Sequence, residues 1–578
     1  MKQRLLQTLL IALLVPTGAW ADAVEIDGIY YNLNTDTKEA ELKNPRNKTS
    51  ESIIIPSTVS YDGVTFNVTS IRNNAFSQCE KLKEVVIPNS ITSIGEYAFM
   101  YCYNLKDCVI PNSVKTLGMR VFYDCRELKS ITIPSSVSSI GSNLFYGCDN
   151  LSSVKVDSEN SVYDSRDNCN AIIETKENKI IAGSNNTVIP SSITSIKGSA
   201  FQGCRGLTSI VIGANITSIG GYAFSNCNNI VSVKVDSGNK AYDSRENCNA
   251  IINSATNELI AGCMNTVIPS SVTTIGDAAF YGCSGLLSIN IPNSITSIGT
   301  DGFDKCSSLT SIIIPDGVKI LKYRAFNECA NLNYVSIGGS VTAIESEAFS
   351  GCTSLTEIHS KIKTPFSINK NVFYNRNTED RFTSATLYVP TDTKALYEVT
   401  PGWMEFKNIV EMGDTPEGQQ CAKPTISYSK GRLTFASETE GATCHSTITD
   451  SDIASYRGNE VELSVTYKIS VYAAKAGFEN SEIATATLCW IDVNPKTEGI
   501  IDGIANVSAN AVLIQSNGGQ LTIQGVDDGT TVRVYDINGT QAGSAVSNNG
   551  SVTISTKLQP DNVAIVKIGE KSVKVLVK

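Results

Sequence analysis

Cys306-Ser-Ser-Leu309-Thr-Ser-Ile312-Ile-Ile314-Pro315-Asp-Gly-Val318-Lys-Ile320-Leu321-Lys-Tyr-Arg-Ala325-Phe326 is one unit of a repeat, and its reading decides the fold. Leu309, Ile312 and Ile314 follow the Leu-x-x-Ile-x-Ile pattern, whose end alternates as the buried side of a short strand does. Pro315 ends that strand, because proline has no amide proton for a ladder and holds φ fixed. A second short apolar segment follows, seen in another copy as Ile91-Thr-Ser-Ile94-Gly95, and the Ala-Phe pair closes the unit.

Outward from this unit the chain repeats itself every 23 residues. Phe76, Phe99, Phe122 and Phe145 keep that spacing, as do Phe201 and Phe224, and then Phe280, Phe303, Phe326 and Phe349. Three positions after each stands a cysteine: Cys79, Cys102, Cys125, Cys148, Cys204, Cys227, Cys283, Cys306, Cys329 and Cys352. One copy cannot bury its apolar side chains alone, whereas stacked copies share a continuous core, so each copy reads as one turn of a solenoid. The phenylalanines and cysteines are expected to form internal ladders. Two gaps, Phe145 to Phe201 and Phe224 to Phe280, are each 56 residues long and resemble one another. Both carry Ser-Val-Lys-Val-Asp, Tyr-Asp-Ser-Arg and Asn-Cys-Asn-Ala-Ile-Ile, which predicts a long repeat variant with an inserted β-hairpin; the thread resumes at Val188-Ile-Pro190 and Val267-Ile-Pro269.

The pattern Ile-Pro-x-Ser-Val/Ile-x-x-Ile-Gly-x-x-Ala-Phe-x-x-Cys-x-x-Leu resembles the BspA-like, Treponema pallidum-type leucine-rich repeats of bacterial surface proteins, over about residues 68–377. The resemblance implies a leucine-rich-repeat solenoid, surface exposure, a Bacteroidetes source, and adhesion to host or bacterial proteins. After Glu411 the character changes. Gly413 to Gln420 reads as a linker, and alternating segments such as Arg432-Leu-Thr-Phe435 and Val465 to Val471 suggest a β-sandwich resembling small immunoglobulin-like modules. A second linker near Asn494–Asn506 leads to a last β-rich stretch that resembles the C-terminal sorting domains of type IX secretion, on Val532-Arg-Val-Tyr-Asp-Ile-Asn-Gly539, Ile565-Val-Lys-Ile-Gly569 and Lys571 to Lys578. It departs from that family at Pro560-Asp-Asn-Val-Ala564, where glycine and an aromatic residue usually stand. The expected organisation is therefore mainly β: a signal peptide at 1–23, an N-terminal cap with a β-hairpin at 24–67, the solenoid at 68–412, and two small β-sandwiches at 413–495 and 496–578.

The signal peptide is read from Lys2 and Arg4, the apolar run Leu5 to Val15, Pro16, and the small-residue cleavage sites Ala19-Trp20-Ala21 and Ala21-Asp22-Ala23. No later stretch approaches the roughly 20 apolar residues that a transmembrane helix needs. Lys and Arg number 47 against 57 Asp and Glu, for a net charge of −10 with no basic cluster, which argues against nucleic acid as a partner.

Catalysis finds no foothold in the motifs. The two histidines, His359 and His445, lie in different expected domains, and no Gly-x-Ser-x-Gly, His-Glu-x-x-His or phosphate-binding loop occurs. No cofactor and no metal is expected. The ladder cysteines read as buried thiols, since side chains in a ladder run parallel while a disulfide needs Cβ atoms turned towards each other. Cys421, Cys444 and Cys489 leave room for one disulfide of undetermined pairing. Asp157, Glu159, Asp164, Asp236 and Asp243 match no calcium loop and read as solvated turn residues.

Solenoids bind through exposed positions of their sheet. The nearer outward column of the Leu-x-x-Ile-x-Ile strands holds Glu84, Asp107, Ser130, Ser153, Ser209, Ser232, Ser288, Ser311, Tyr334 and Glu357; the next holds Val86, Val109, Thr132, Lys155, Val211, Lys234, Asn290, Ile313, Ser336 and His359. Tyr334, His359 and Ile313 are the expected anchors on a face that is small and polar along its middle. The expected partner is a host or bacterial surface protein, with a glycan as the alternative.

Overall fold

The computed structural model describes residues 23–378, 381–412, 421–429, 432–450, 466–474, 481, 484–492, 510–517, 519–536, 539–558, 563–568 and 571–576. The expected signal peptide, apart from Ala23, and both linkers lie outside the described residues. The chain divides into two compact units, residues 1–229 and 230–578, so the division falls inside the expected array rather than after residue 412.

In both units most repeats are coils of two short strands joined by a turn that carries the ladder phenylalanine. In the first unit Ser93–Ile94, Thr116–Leu117 and Ser139–Ile140 pair in parallel, one coil to the next, and Ser130–Ile133 pairs with Ser153–Val156. In the second unit Ser311–Ile314, Tyr334–Ile337, Glu357–Ser360, Thr386–Val389 and Ile409–Glu411 form one parallel sheet. There Glu258–Ala261, Thr274–Ile275, Ser297–Ile298, Ile320–Leu321 and Ala343–Ile344 run along another. Residues 286–291 carry the strand pattern yet form no strand, although Leu286, Ile289 and Ile291 are buried.

The phenylalanine turns are stitched together by a backbone device. Two residues of each turn, two before and two after the phenylalanine, have positive φ, as Asp301 (54°) and Lys305 (61°) do around Phe303. Each left-handed residue flips the next peptide plane, so successive N–H groups point alternately along the stack and back into their own turn. The N–H groups of Asp301, Phe303 and Lys305 donate to the carbonyls of Tyr323, Ala325 and Asn327 in the next coil at 2.7–2.9 Å, while those of Gly302, Asp304 and Cys306 donate within the turn. The buried turn thus leaves few backbone donors unpaired.

The expected ladders are present. Phe280, Phe303, Phe326 and Phe349 stack with centroids 4.8, 5.0 and 5.3 Å apart and planes within 6°, and the stack continues, one residue out of period, to Phe373 at 5.4 Å. Phe76, Phe99, Phe122 and Phe145 stack likewise in the first unit. Phe224 stacks on Phe201 at 5.3 Å but is only half-buried. The ladder cysteines are buried and serve as donors: the thiols of Cys102, Cys306, Cys329 and Cys352 each lie 3.2 Å from the carbonyl oxygen of the phenylalanine 26 positions earlier.

Both long repeats contain antiparallel inserts: Tyr163–Asp164, Ile172–Glu174 and Lys179–Ala182 in the first unit, and Tyr242–Asp243, Ile251–Asn253 and Glu258–Ala261 in the second. A glycine then restarts each ladder. A Cβ on Gly183 would stand 2.2 Å from Phe201, and one on Gly262 would stand 2.2 Å from Phe280, so bare backbone serves as the seat for the first ring. At the start of the first unit Val24–Ile26, Ile29–Asn34 and Glu39–Pro45 form an antiparallel meander that joins Val64–Ile71 in parallel. In the second unit Trp403, Phe406 and Phe382 close over Phe373, and the Trp403 indole N–H donates to the Phe366 carbonyl at 2.8 Å.

The two expected β-sandwiches do not stand apart. Thr443–Asp450, Thr466–Ala474, Ala484–Asp492, Asn510–Asn517, Gln520–Gln524 and Ser551–Ser555 make one antiparallel sheet that crosses the expected boundary at 495, through pairing of Cys489 with Val512 and Thr487 with Ile514. The strand Asn510–Asn517 is apolar on both faces: Leu513 packs with Ile426, Ile469 and Val471, whereas Val512 and Ile514 pack with Ile523, Val534 and Val566. A strand with two buried faces belongs to two cores at once. A four-stranded sheet, Gln541–Val546, Thr531–Tyr535, Val563–Ile568 and Lys571–Leu576, completes the second core. The expected disulfide among Cys421, Cys444 and Cys489 involves the side chain of Cys489, which lies outside the described residues.

Candidate functional site

The parallel strands put every second side chain outward. In the first unit Ile53 and Val85 point to the core, and Ser52, Glu84 and Asp107 stand side by side on the outer face in register. Next to them runs an aliphatic stripe: Ile54, Val86 and Val109 are 71%, 45% and 78% exposed. Glu84, Asp107 and Ser130 are exposed as expected, and Lys83 ties the edge to Glu51 at 2.8 Å. Ile54 stands outside the columns read from the repeat because the first coil is longer than the repeat and falls out of its phase.

In the second unit the corresponding face is aromatic. Ser311 pairs with Tyr334 and Tyr334 with Glu357, while Ile313, Ser336, His359 and Tyr388 line up on the neighbouring column, followed by Val410. His359 lies at 4.4 Å, nearly parallel, from Tyr388 and at 5.1 Å from Tyr334. The expectation of an exposed anchor is corrected here: His359 is 9% exposed between the rings of Tyr334 and Tyr388, and Ser336, between Ile313 and His359 in the column, is buried as well. Ile313, Tyr334 and Tyr388 remain half-buried and Val410 is exposed, so the surface is carried by the rims of the column. Ser288 is half-buried in the stretch that forms no strand. Burial lowers the His359 pKa, opposed by Glu357, whose carboxylate is 3.4 Å from Nε2. Its Nδ1 is buried without a hydrogen-bond partner among the described residues. Tyr388 falls outside the columns because the coil after Cys352 departs from the period; its placement between alternating apolar residues, Leu387 and Val389, is the signal the sequence offers for it.

The acidic residues of the long repeats have structural duties. Arg166 grips Asp164 with Nε at 2.8 Å and Nη2 at 2.5 Å, and reaches Asn178 at 2.8 Å; Arg245 does the same with Asp243 and Asn257. Asp157 and Asp236 accept the N–H groups of Glu159 and Gly238 in tight turns. Among the described residues no three His, Cys, Asp or Glu side chains gather as a metal site would require. The ladder thiols are held well above the usual range by burial, as Cys352 is at about 12, which leaves them poor nucleophiles. Among the described residues no helix is long and apolar enough to cross a membrane.

Residues 48–171, 181–257 and 252–379 match the BspA type leucine rich repeat region, in six copies. Among solved structures, a leucine rich cell surface protein from Faecalibacterium prausnitzii is 26% identical, covering 68% of this chain and 96% of that one with a TM-score of 0.40. A leucine-rich repeat protein from Bacteroides ovatus is 24% identical over 58% and 94% of the two chains, TM-score 0.28. The pneumococcal vaccine antigen PcpA is 17% identical over 68% and 99%, TM-score 0.32. No curated protein matches the chain. With more than half of its length matched as coils of one repeat type, the chain belongs to the BspA-type leucine-rich repeat family.

Proposed function

We propose that the chain is an exported, non-catalytic surface protein that binds another protein, from a host or a neighbouring bacterium, through the outer faces of its parallel sheets. The observation that carries this reading is the stripe of Ile54, Val86 and Val109, aliphatic side chains on three successive coils left in water beside Glu84 and Asp107. Single exposed aliphatics are ordinary, but a contiguous row with a polar border is the usual signature of a contact surface. Export is supported by the sequence of residues 1–23, and deleting them is expected to leave the protein in the cytoplasm.

The test is solid-phase binding of the full chain to immobilised host matrix proteins and bacterial surface proteins. Saturable binding that Val109→Lys weakens at least tenfold supports the reading. Binding that Val109→Lys leaves unchanged removes this face from it. A glycan as ligand is less well supported, because sugar stacking needs a free aromatic face and Tyr334, His359 and Tyr388 are occupied largely with one another.

A further inference from the structure

The turns around Phe99, Phe122 and Phe145 carry a second surface, away from the sheet columns. Tyrosines recur at these turns and the coil spacing brings them together: Tyr123 lies parallel to Tyr146 at 4.4 Å, and Tyr101 meets Tyr123 edge-on at 5.6 Å. Arginines interleave with them. The Arg120 guanidinium lies between the rings of Tyr97, at 5.8 Å, and Tyr123, at 5.6 Å, and donates to the Tyr97 hydroxyl at 3.4 Å. Arg126 covers the ring of Tyr103 at 4.7 Å, and Arg205 lies 5.9 Å from the ring of Tyr146. All five tyrosines are half-buried, so their edges form a surface.

The charges on this edge are unevenly matched. Arg205 is committed to Asp149 at 3.4 Å and Asp124 at 3.6 Å, and among the described residues Arg126 pairs with Asp124 alone, at 3.4 Å. Arg120 makes no ion pair among the described residues, and its Nε is buried without a hydrogen-bond partner. A guanidinium held between two aromatic faces has already lost much of its rotamer freedom, so pairing with a carboxylate costs it less. Guanidinium groups lie over the rings of Tyr97, Tyr103, Tyr123 and Tyr146, and Tyr123 and Tyr146 stack on each other, so cations and phenol hydroxyls are what the edge offers, which suits a carboxylate-bearing peptide better than a stacked sugar. Tyr and Arg are also the residue types that contribute most per side chain at protein interfaces. The net charge of −10 opposes an acidic partner at long range, but salt screens that repulsion beyond about 8 Å at physiological ionic strength.

We propose that the edge formed by Tyr97, Arg120 and Tyr123, with Tyr103 and Arg126 beside it, binds an acidic segment of a partner protein whose carboxylates pair with the two arginines. This surface is independent of the sheet face. The test is fluorescence anisotropy of a labelled oligoglutamate peptide titrated with the full chain, with oligolysine and heparin in parallel. Saturable oligoglutamate binding is expected, weakened roughly tenfold by Arg120→Gln and by Arg126→Gln and unchanged by Tyr334→Ala. Arg126 is half-exposed, so its variant keeps the test valid if Arg120→Gln lowers the melting temperature. Absence of saturable oligoglutamate binding, equal affinity in Arg126→Gln, or arginine-dependent binding of heparin alone would each overturn the assignment.

Discussion

The thiol of Cys329 donates to the carbonyl oxygen of Phe303 across 3.2 Å, and the same oxygen accepts the backbone N–H of Cys306, also at 3.2 Å. One oxygen thereby joins its own turn to the next coil. Cysteine suits the position because sulfur fills an apolar spine and still supplies a weak donor. We expect Cys329→Ala to destabilise the second unit by about 1–2 kcal/mol, mostly through lost packing, as read by chemical denaturation. Because burial pushes the thiol far above its ordinary pKa, alkylation at pH 8 followed by mass spectrometry should leave Cys329 unlabelled in the native chain and label it after unfolding.

Asp304 is the charged group most at odds with its surroundings. It is 2% exposed and accepts from the Asn327 amide at 2.9 Å, and burial raises its pKa from 3.8 to about 7. Between those values the folded chain holds a proton that the unfolded chain has released, so the contribution is fully present at low pH and is lost as pH rises towards 7. Asp304→Asn keeps the acceptor oxygen and removes the titration. It should stabilise the second unit by roughly 2–4 kcal/mol above neutral pH and hardly at all near pH 4, as seen in melting temperatures across that range.

The ring seats predict a steric effect. Gly262→Ala would place a methyl carbon 2.2 Å from Phe280, and Gly183→Ala one at the same distance from Phe201. Each should cost at least about 1–3 kcal/mol by overpacking. Pairing Gly262→Ala with Phe280→Leu should recover part of the loss in a double-mutant cycle; strict additivity would show that the glycine is not there to seat the ring.

The alternating turn predicts an improvement. Glu328 has φ of 53°, whereas Gly147, Gly203, Gly282 and Gly351 occupy the same repeat position with φ of 69–77°. An L-residue is strained in the left-handed region while glycine is not. Glu328→Gly is therefore expected to stabilise by about 0.5–1 kcal/mol despite the added freedom of the unfolded chain, measured by the denaturation midpoint.

Much of the spine is legible in the amino-acid sequence. The spacing of Phe303 and Phe326 announces the ladder, Pro315 the end of a strand, and Tyr163 and Tyr242 the twin hairpin inserts, because each depends on neighbours a fixed number of residues away. The exposed column of Glu84 and Asp107 follows from alternation alone. The burial of His359 does not, because it depends on Tyr388, a residue outside the period. Nor does the edge formed by Arg120 and Tyr123, whose side chains stand two residues before and one residue after the ladder phenylalanine, in a turn where no strand alternation says which way they point.

By itself the sequence determined the coil, its period and the residues of its spine, since a short repeat leaves each side chain one arrangement in which it can be buried. Only the tertiary structure decided which outward residues, such as Ser336 and His359, are covered by their neighbours. It also decided that Asn510–Asn517 serves two cores at once. Burial on an outer face, and the pairing of strands from separate segments, are set by atoms distant in sequence, and no local pattern encodes them.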